Sequence, residues 1–366
     1  MLFKLKIKRD TSADFQTANT VLADGEFSLE TDTGKMKVGN GSTAYNSLQF
    51  VTEDAAKRLF VFEATTSVFN AGGSAPYITE IHKMPVASQD SWSDIGDLIT
   101  APSSDQGYDQ AGYNDESGNG YVLENGGSST KVVFASDSIS NLSPSFAGTG
   151  RSGFSANGNQ LAGYNTGQYG TLTSGKLVYA SATYTHTIPA MTITTNTSDP
   201  DASRKYTSGA PSGTFAFNIG GGSSTSHATT RVEKLNMSTE TGGSIDVGDL
   251  TTTTSETTAT AGETHAYSLG GRNHPDNSGN KRTMDKISFA TDGNATNIGN
   301  LVLGRKLGAA TSSTSYGFIS GGRTSESNTN PNTTERWPFA SDSSSSNIPA
   351  TMPSSGSKHG RSTMND

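Results

Sequence analysis

One short phrase returns six times along the chain: a basic residue, an apolar residue, any residue, an aromatic or apolar residue, then Ala or Ser and a hydroxyl residue. It reads KMPVAS from Lys83, KVVFASD from Lys131, KLVYAS from Lys176, KLNMST from Lys234, KISFATD from Lys286 and RWPFASD from Arg336. The interval is roughly 50 residues throughout, so the chain is built from a repeated supersecondary unit and not from one continuous fold.

Two further marks keep phase with the phrase. Upstream stands a glycine pair behind an apolar or aromatic run: Phe69 with Gly72-Gly73, Tyr121 with Gly126-Gly127, Phe217 with Gly220-Gly221, Tyr267 with Gly270-Gly271, and Phe318 with Gly321-Gly322. The third unit is degenerate and keeps only Tyr164 and Gly167. Downstream comes a second apolar mark, as in Ile95-Gly96-Asp97-Leu98, Val247-Gly248-Asp249-Leu250 and Ile298-Gly299-Asn300-Leu301. A period near 50 with three marks in fixed order suits a four-stranded propeller blade and exceeds the ankyrin, tetratricopeptide or leucine-rich unit.

The phrase alternates, which places Val132 with Phe134, and Ile287 with Phe289, on one face of a strand, the face expected to be buried. Ser136-Asp137 and Thr291-Asp292-Gly293-Asn294 then supply turn chemistry, so a hairpin should follow. The glycine pair should end the preceding strand where one backbone passes close to another. In these marks the units resemble degenerate kelch repeats, without the Trp usual late in such a blade; Trp337 alone sits near that place. The last unit runs out at Lys358 to Thr363 with no glycine-pair strand after it, and Leu59 to Gly73 carries such a strand with no complete unit before it. Pairing the two would seal one mixed blade and remove the open sheet edges. The expected fold is all-β: a six-bladed kelch-like β-propeller over residues 59–366, preceded by a small amino-terminal oligomerising β-domain over 1–51 and a connector over 52–58.

Composition excludes several classes. Hydrophobic residues are 31% and charged residues 16%, with 42 Gly; recurrent Phe and Tyr in register make turn-rich β-structure a better account of this balance than disorder. There is no Cys, hence no disulfide, thiol catalysis or Cys-ligated metal. The absence of a long apolar run, together with a polar start in MLFKLKIKR, leads us to expect a soluble protein without membrane insertion. A formal net charge of −8 without a basic cluster argues against a nucleic-acid partner.

The amino-terminal stretch differs in composition. Phe3, Leu5 and Ile7 alternate with lysines as one strand, and Phe27 and Leu29 face Met36 and Val38 across a turn at Asp32-Thr33-Gly34-Lys35. Leu48 and Phe50 end the block. So few apolar side chains cannot bury a core unaided, so Phe3, Leu5, Ile7, Phe27, Leu29, Met36, Val38, Leu48 and Phe50 are the candidate oligomerisation and docking residues.

Lys6 to Phe50 resembles the amino-terminal module of bacteriophage tail fibres and of the phage major tropism determinant. The resemblance is carried by Arg9, Thr11, Asn19, Val21-Leu22, Gly25-Glu26, Glu30, Asp32-Thr33-Gly34-Lys35, Lys37-Val38-Gly39, Gly41, Thr43 and Tyr45-Asn46-Ser47-Leu48. Departures are Asn40 for the usual Asp, Tyr45 for Trp, and Gln49-Phe50 for Pro-Tyr. What the resemblance implies is an intertwined, usually trimeric β-structure at the virion-proximal end of a fibre. The repeat units, through Asp285 to Leu301 and Ser312 to Gly322, are similar to repeat-containing tail proteins of marine and cyanobacterial phages. Both halves therefore imply a virion component, assembled in the host cytoplasm.

No catalytic residue is assigned. His82, His186, His227, His265, His274 and His359 show no ligand spacing, and we expect no metal and no cofactor. The segment at Thr291 matches only part of a sialidase Asp box, and a galactose-oxidase cofactor needs the missing Cys. The repeated cation of the phrase is read as architectural, its stem on apolar surface or its charge paired with Glu233, Asp285 and Glu335. Receptor recognition is expected where the units differ. Ser103 to Tyr121 is read as a long loop carrying Tyr108, Asp109, Tyr113, Asn114 and Asp115, residue types that stack on and hydrogen-bond to sugars. Arg272 and His274, in Arg272 to Arg282, and Arg323, in Arg323 to Asn332, are the second candidates.

The reading is a phage tail-fibre or receptor-binding protein, a homotrimer that docks to tail or baseplate proteins through residues 1–51 and adheres to a host surface glycan or protein through propeller loops. The alternatives are a structural tail or baseplate component and a glycan-degrading propeller enzyme.

Overall fold

A computed structural model describes residues 8–33, 35–48, 50, 67–73, 78–99, 110–115, 117–124, 129–142, 155–158, 162–166, 173–178, 183–192, 207–222, 228–241, 243–273, 279–324, 331–352 and 362–365. The chain divides into two compact units, Met1–Ala64 and Thr65–Asp366. The expected boundaries at 51 and 58 lie outside the described residues.

In the first unit, β1 (Lys8–Asp10) lies parallel to β2 (Phe27–Glu30), and β2 pairs antiparallel with β3 (Met36–Val38). The register sets Phe27 opposite Val38 and Leu29 opposite Met36, the expected hairpin. A short helix, α1 (Ser12–Ala18), is a correction to the all-strand expectation. Its signal is a side-chain cap: Thr11 Oγ1 accepts from Asp14 N at 3.2 Å, and Asn19 closes the far end at φ 40. Phe15 of α1 stacks on Tyr45, ring centroids 4.7 Å apart, and Leu22 completes this small cluster.

The described residues of the second unit form six four-stranded sheets. The first joins β4 (Ser67–Gly73), β5 (Ile78–Pro85) and β6 (Ser93–Asp97) to β27 (Ser362–Asn365). The second is β7 (Gln110–Asn114), β8 (Asn119–Glu124), β9 (Ser129–Val133) and β10 (Ser138–Leu142). The third is β11 (Ser155–Gly158), β12 (Ala162–Thr166), β13 (Thr173–Val178) and β14 (Thr183–Thr192). The fourth is β15 (Ser208–Pro211), β16 (Phe215–Ile219), β17 (Thr229–Asn236) and β18 (Ile245–Thr254). The fifth is β19 (Thr258–Ala261), β20 (His265–Leu269), β21 (Thr283–Ser288) and β22 (Thr296–Asn300). The sixth is β23 (Ala309–Ser312), β24 (Tyr316–Ser320), β25 (Thr333–Pro338) and β26 (Ser346–Thr351).

Each sheet is an antiparallel meander, and the six phrases begin in β5, β9, β13, β17, β21 and β25, the third strand of each sheet. The carboxyl strand β27 pairs antiparallel with β4, Met364 opposite Phe69, so the two ends of the repeat array share one sheet as expected. The first strands neighbour one another in succession from β7 to β11, β15, β19, β23 and β27, and β27 also neighbours β7. The architecture is all-β and propeller-like.

Burial follows the alternation. Val132, Phe134 and Ile287 are buried, and Phe289 packs half-buried on the core of the fourth sheet. The glycine pairs end β16, β20 and β24 as read from sequence. Gly270 adopts φ +62, and a Cβ there would lie 2.2 Å from the Arg305 carbonyl oxygen, so no side chain fits against the strand connection to the sixth sheet.

The repeated cation is architectural, but its partners differ from the expected Glu233, Asp285 and Glu335. It reaches the acidic turn at the end of the next phrase: Lys83 to Asp137 at 2.8 Å, Lys234 to Asp292 at 2.6 Å, Lys286 to Asp342 at 2.7 Å. The last step returns to the first sheet, where Arg336 Nη1 donates to Gln89 Oε1 at 2.6 Å. The cation also covers an aromatic ring on the adjacent strand, as Lys234 does over Phe215 and Arg336 over Tyr316.

The residue just before the phrase has a different task. Buried Thr130, Asp285 and Glu335 accept backbone N–H bonds from the strand exit of the preceding sheet: Ile99 N to Thr130 Oγ1 at 3.0 Å, Thr251 N to Asp285 Oδ2 at 2.9 Å, Val302 N to Glu335 Oε2 at 2.8 Å. Side-chain acceptors thereby satisfy amides that no ladder reaches. Trp92, not singled out from sequence, donates from Nε1 to Thr334 Oγ1 at 2.9 Å and is buried with Val68, Met84 and Ile348 where the sixth sheet meets the first.

Candidate functional site

The segment from Ser103 to Tyr121 is not one long loop. Its second half is the hairpin of β7 and β8, with Tyr113 opposite Tyr121. Tyr113 is buried at 3% exposure and has no face free for stacking on a sugar, which corrects its assignment as a recognition residue. Asp115 serves the turn: it accepts from Ser117 N at 2.8 Å, Asn119 N at 3.0 Å, Asn119 Nδ2 at 2.9 Å and Tyr121 Oη at 2.6 Å. Burial and this carboxylate hold the Tyr121 phenol well above its ordinary pKa. Asp115 is therefore a structural residue. Asn114 is exposed at the strand end, while Tyr108 and Asp109 lie outside the described residues.

The two arginine candidates occupy equivalent places in neighbouring sheets. Arg272 follows the glycine pair of the fifth sheet and Arg323 that of the sixth; each forms a backbone bridge with the connection entering its own sheet, Arg272 with Ser255 and Arg323 with Lys306. Glu256, 1% exposed and at φ 54, follows Ser255 in the connection entering the fifth sheet. Arg272 Nη2 pairs with its Oε1, and Lys306 Nζ approaches its Oε2 at 2.6 Å. Leu307 N donates to the Glu256 carbonyl at 3.0 Å, joining the two connections. Burial lowers the Lys306 pKa, Glu256 opposes this, and the Arg272 and Arg323 charges lower it further. Glu256 and Lys306 were not singled out as site residues. The signal available was positional, since Lys306 opens the KLGAAT segment that runs into β23. His274 lies outside the described residues.

A second buried charge sits nearby and is paired within the sixth sheet. Arg305 and Glu335 are both fully buried and pair directly; Arg305 also donates to the Gly321 carbonyl at 2.9 Å and to Thr333 Oγ1 at 3.2 Å. This pair braces the sixth sheet. Among the described residues no group of three His, Asp or Glu side chains could hold a metal ion, and no helix is long and apolar enough to cross a membrane.

In the first unit the candidate docking residues share one face of the sheet. Phe27, Leu29, Met36 and Val38 are half-buried, whereas Ser28, Glu30 and Lys37 on the opposite face are buried. Tyr45 Oη donates to Glu30 Oε1 at 3.1 Å, and Lys37 Nζ donates to the Tyr45 carbonyl at 2.8 Å while lying 4.3 Å from its ring centroid. Burial first, then the Glu30 contact, pushes the Tyr45 phenol up to about 12, and burial lowers the Lys37 ammonium. Leu48 packs half-buried on the Phe15 cluster, so its place is internal to this unit. Phe50 is 39% exposed, beneath the Lys35 and Lys37 ammonium groups. Phe3, Leu5 and Ile7 lie outside the described residues.

No curated protein matches the chain. Among solved structures, one titled "Structure of YjhT" is similar at TM-score 0.55 and 13% identity, covering 72% of this chain and 89% of that one, a likeness of fold alone. Residues 5–43 match the family described as the major tropism determinant N-terminal domain, so the amino-terminal unit carries a domain of the phage tropism-determinant and tail-fibre type.

Proposed function

We propose that this chain is a non-catalytic receptor-binding protein of a phage tail. The observation that carries the reading is the tropism-determinant domain at residues 5–43 joined to a second unit of mutually braced sheets. In this reading the first unit docks to tail or baseplate proteins and forms a trimer, and the second is a six-bladed kelch-like propeller that presents its connections to a host surface glycan or protein. The return of β23 to β27 and of β27 to β7 supports ring closure. The apolar face of Phe27, Leu29, Met36 and Val38 supports oligomerisation, because the polar side of the same sheet already fills the interior of the single chain. Several weak sites on one trimer gain by effective concentration.

The purified chain should compete with phage for adsorption to host cells, at lower concentration as the intact oligomer than after mutation of that apolar face. Absence of competition at any concentration sinks the adhesive reading. The loss of Tyr113 and Asp115 as free ligands favours one second reading, a structural tail component. In that case the chain should label assembled tails and leave adsorption unchanged.

A further inference from the structure

We propose that the receptor meets the second unit at the end carrying its glycine pairs and sheet-to-sheet connections, and that the exposed bulge Thr251 to Thr253 there takes the hydroxyls of an uncharged host glycan. This rests on the receptor-binding reading and adds to it the surface and the ligand class. The antiparallel meanders give the unit two different ends. At one, the first and second strands join in tight turns, with Ser212 N donating to the Phe215 carbonyl at 2.9 Å, Gly262 N to His265 at 2.8 Å and Ser313 N to Tyr316 at 2.8 Å. The third strands leave past the same turns, Met237 N to the Thr214 carbonyl at 2.9 Å, Phe289 N to Thr264 at 3.0 Å and Phe339 N to Ser315 at 2.9 Å. The chain enters here, because β4 is a second strand that begins at Ser67, just beyond the boundary of the units, opposite Pro85 at the end of a third strand. At the opposite end the glycine pairs meet the connections between sheets, Gly221 N donating to the Thr254 carbonyl and Gly271 N to that of Arg305, both at 2.9 Å. The tight-turn end is therefore tethered, and connections at the far end are the ones a rigid scaffold can present.

The bulge lies at that far end. Thr229 pairs with Thr254 and Arg231 with Asp249, so β18 fits Leu250 to Thr253 against one short step of β17. Such extra residues leave the ladder and turn their side chains to new directions. Leu250 is buried, while Thr251, Thr252 and Thr253 are exposed. Each hydroxyl is fixed by the fifth sheet: Thr251 Oγ1 donates to Asp285 Oδ1 at 2.7 Å, Thr252 Oγ1 accepts from Lys281 Nζ at 3.1 Å, and Thr253 Oγ1 donates to Asn273 Oδ1 at 2.8 Å. Among the described residues this leaves acceptor lone pairs on Thr251 and Thr253 and an O–H donor on Thr252. A sugar hydroxyl is donor and acceptor at once, so a row of fixed and opposite hydrogen-bonding senses suits neighbouring hydroxyls of one sugar. Lys281 adds little attraction for an anion, because its three N–H bonds meet Thr252 Oγ1, the Thr253 carbonyl and Thr254 Oγ1.

The test uses the full chain, which has no Cys, so one introduced thiol takes a polyethylene glycol maleimide at a single place. Thr252→Cys marks the far end and Thr314→Cys, exposed in a tight turn, marks the tethered end. Each labelled chain competes with phage for adsorption to host cells. The label at position 252 should abolish competition and the label at 314 should leave it unchanged. Unlabelled Thr252→Val should compete about tenfold less well at an unchanged melting temperature, with Thr252→Ser restoring it. Adsorption of the unaltered chain should survive protease treatment of the cells and added salt, and be lost on periodate oxidation of vicinal diols. Loss with protease and not periodate overturns the glycan; steep loss with salt overturns the uncharged ligand. Blocking by the 314 label alone, or by neither label, overturns the surface while competition by the unaltered chain leaves the receptor reading standing. Failure of the unaltered chain to compete at all overturns the receptor reading itself.

Discussion

The two units bury opposite things. In the repeat unit the alternation reads conventionally, with Phe217, Ile219, Val232 and Ile287 inside and the Lys–Asp pairs at the surface. In the amino-terminal unit the inward side of β2 and β3 is Ser28, Glu30 and Lys37, and the apolar side faces outward. A sheet whose interior is polar and hydrogen-bonded gains little from the hydrophobic effect in isolation, and its apolar face supplies stability only when covered. The difference teaches that the repeat unit buries its apolar face within the single chain, whereas the apolar face of β2 and β3 stays half-buried, and on the proposed reading partners cover it.

The largest expected effects break the repeat unit from within. Gly270→Val places a side chain at φ +62 against the Arg305 carbonyl and should cost more than about 4 kcal/mol, read as loss of the cooperative melt. Glu335→Ala strands the buried Arg305 and the amides of Val302 and Leu303, and should cost about 3–5 kcal/mol in denaturant titration. The same kind of change in the other unit should behave differently: Phe27→Ser with Met36→Ser should leave the repeat unit's melt in place and shift the chain from oligomer to monomer in sedimentation.

Smaller effects sharpen the contrast. Tyr45→Phe removes the Glu30 bond and should destabilise the amino-terminal unit by about 1–2 kcal/mol. The Tyr45 phenol sits above its unfolded value, so its contribution is full below pH about 10 and is lost as pH rises toward about 12. Ultraviolet titration should show one late-ionising tyrosine fewer in the variant. Smallest of all, Lys286→Met should cost less than about 1 kcal/mol, because Asp342 is more than half exposed and water already screens the pair.

Much of the second unit was legible because a repeat lets each copy check the others. The phrase marked the third strand of every sheet, the glycine pairs marked strand ends, and the orphan strand near Phe69 announced its pairing with the carboxyl terminus. What the sequence hid was contact between units. Nothing in the phrase says that Lys234 meets Asp292 of the next copy and not the adjacent Glu233, since that partner depends on how far one sheet is rotated from the next. The candidate site failed where local composition was trusted: Tyr113 lies among Gly, Asn and Asp, yet alternation with Tyr121 turns it inward. Arg272 and Arg323 were legible as loop residues, but the pairing of Arg272 with Glu256 was not, because that glutamate sits in an otherwise featureless run of threonines. In the first unit the hairpin was legible and the short helix was overlooked, although Thr11 and Asp14 form its cap.

The most direct measurement is imaging of the assembled phage particle to locate the two units of this chain on the tail. The account predicts the amino-terminal units gathered in threefold groups at the attachment point and the repeat units peripheral and exposed at the tail tip. Repeat units packed into the tail wall, with their strand connections covered by neighbouring proteins, would contradict it.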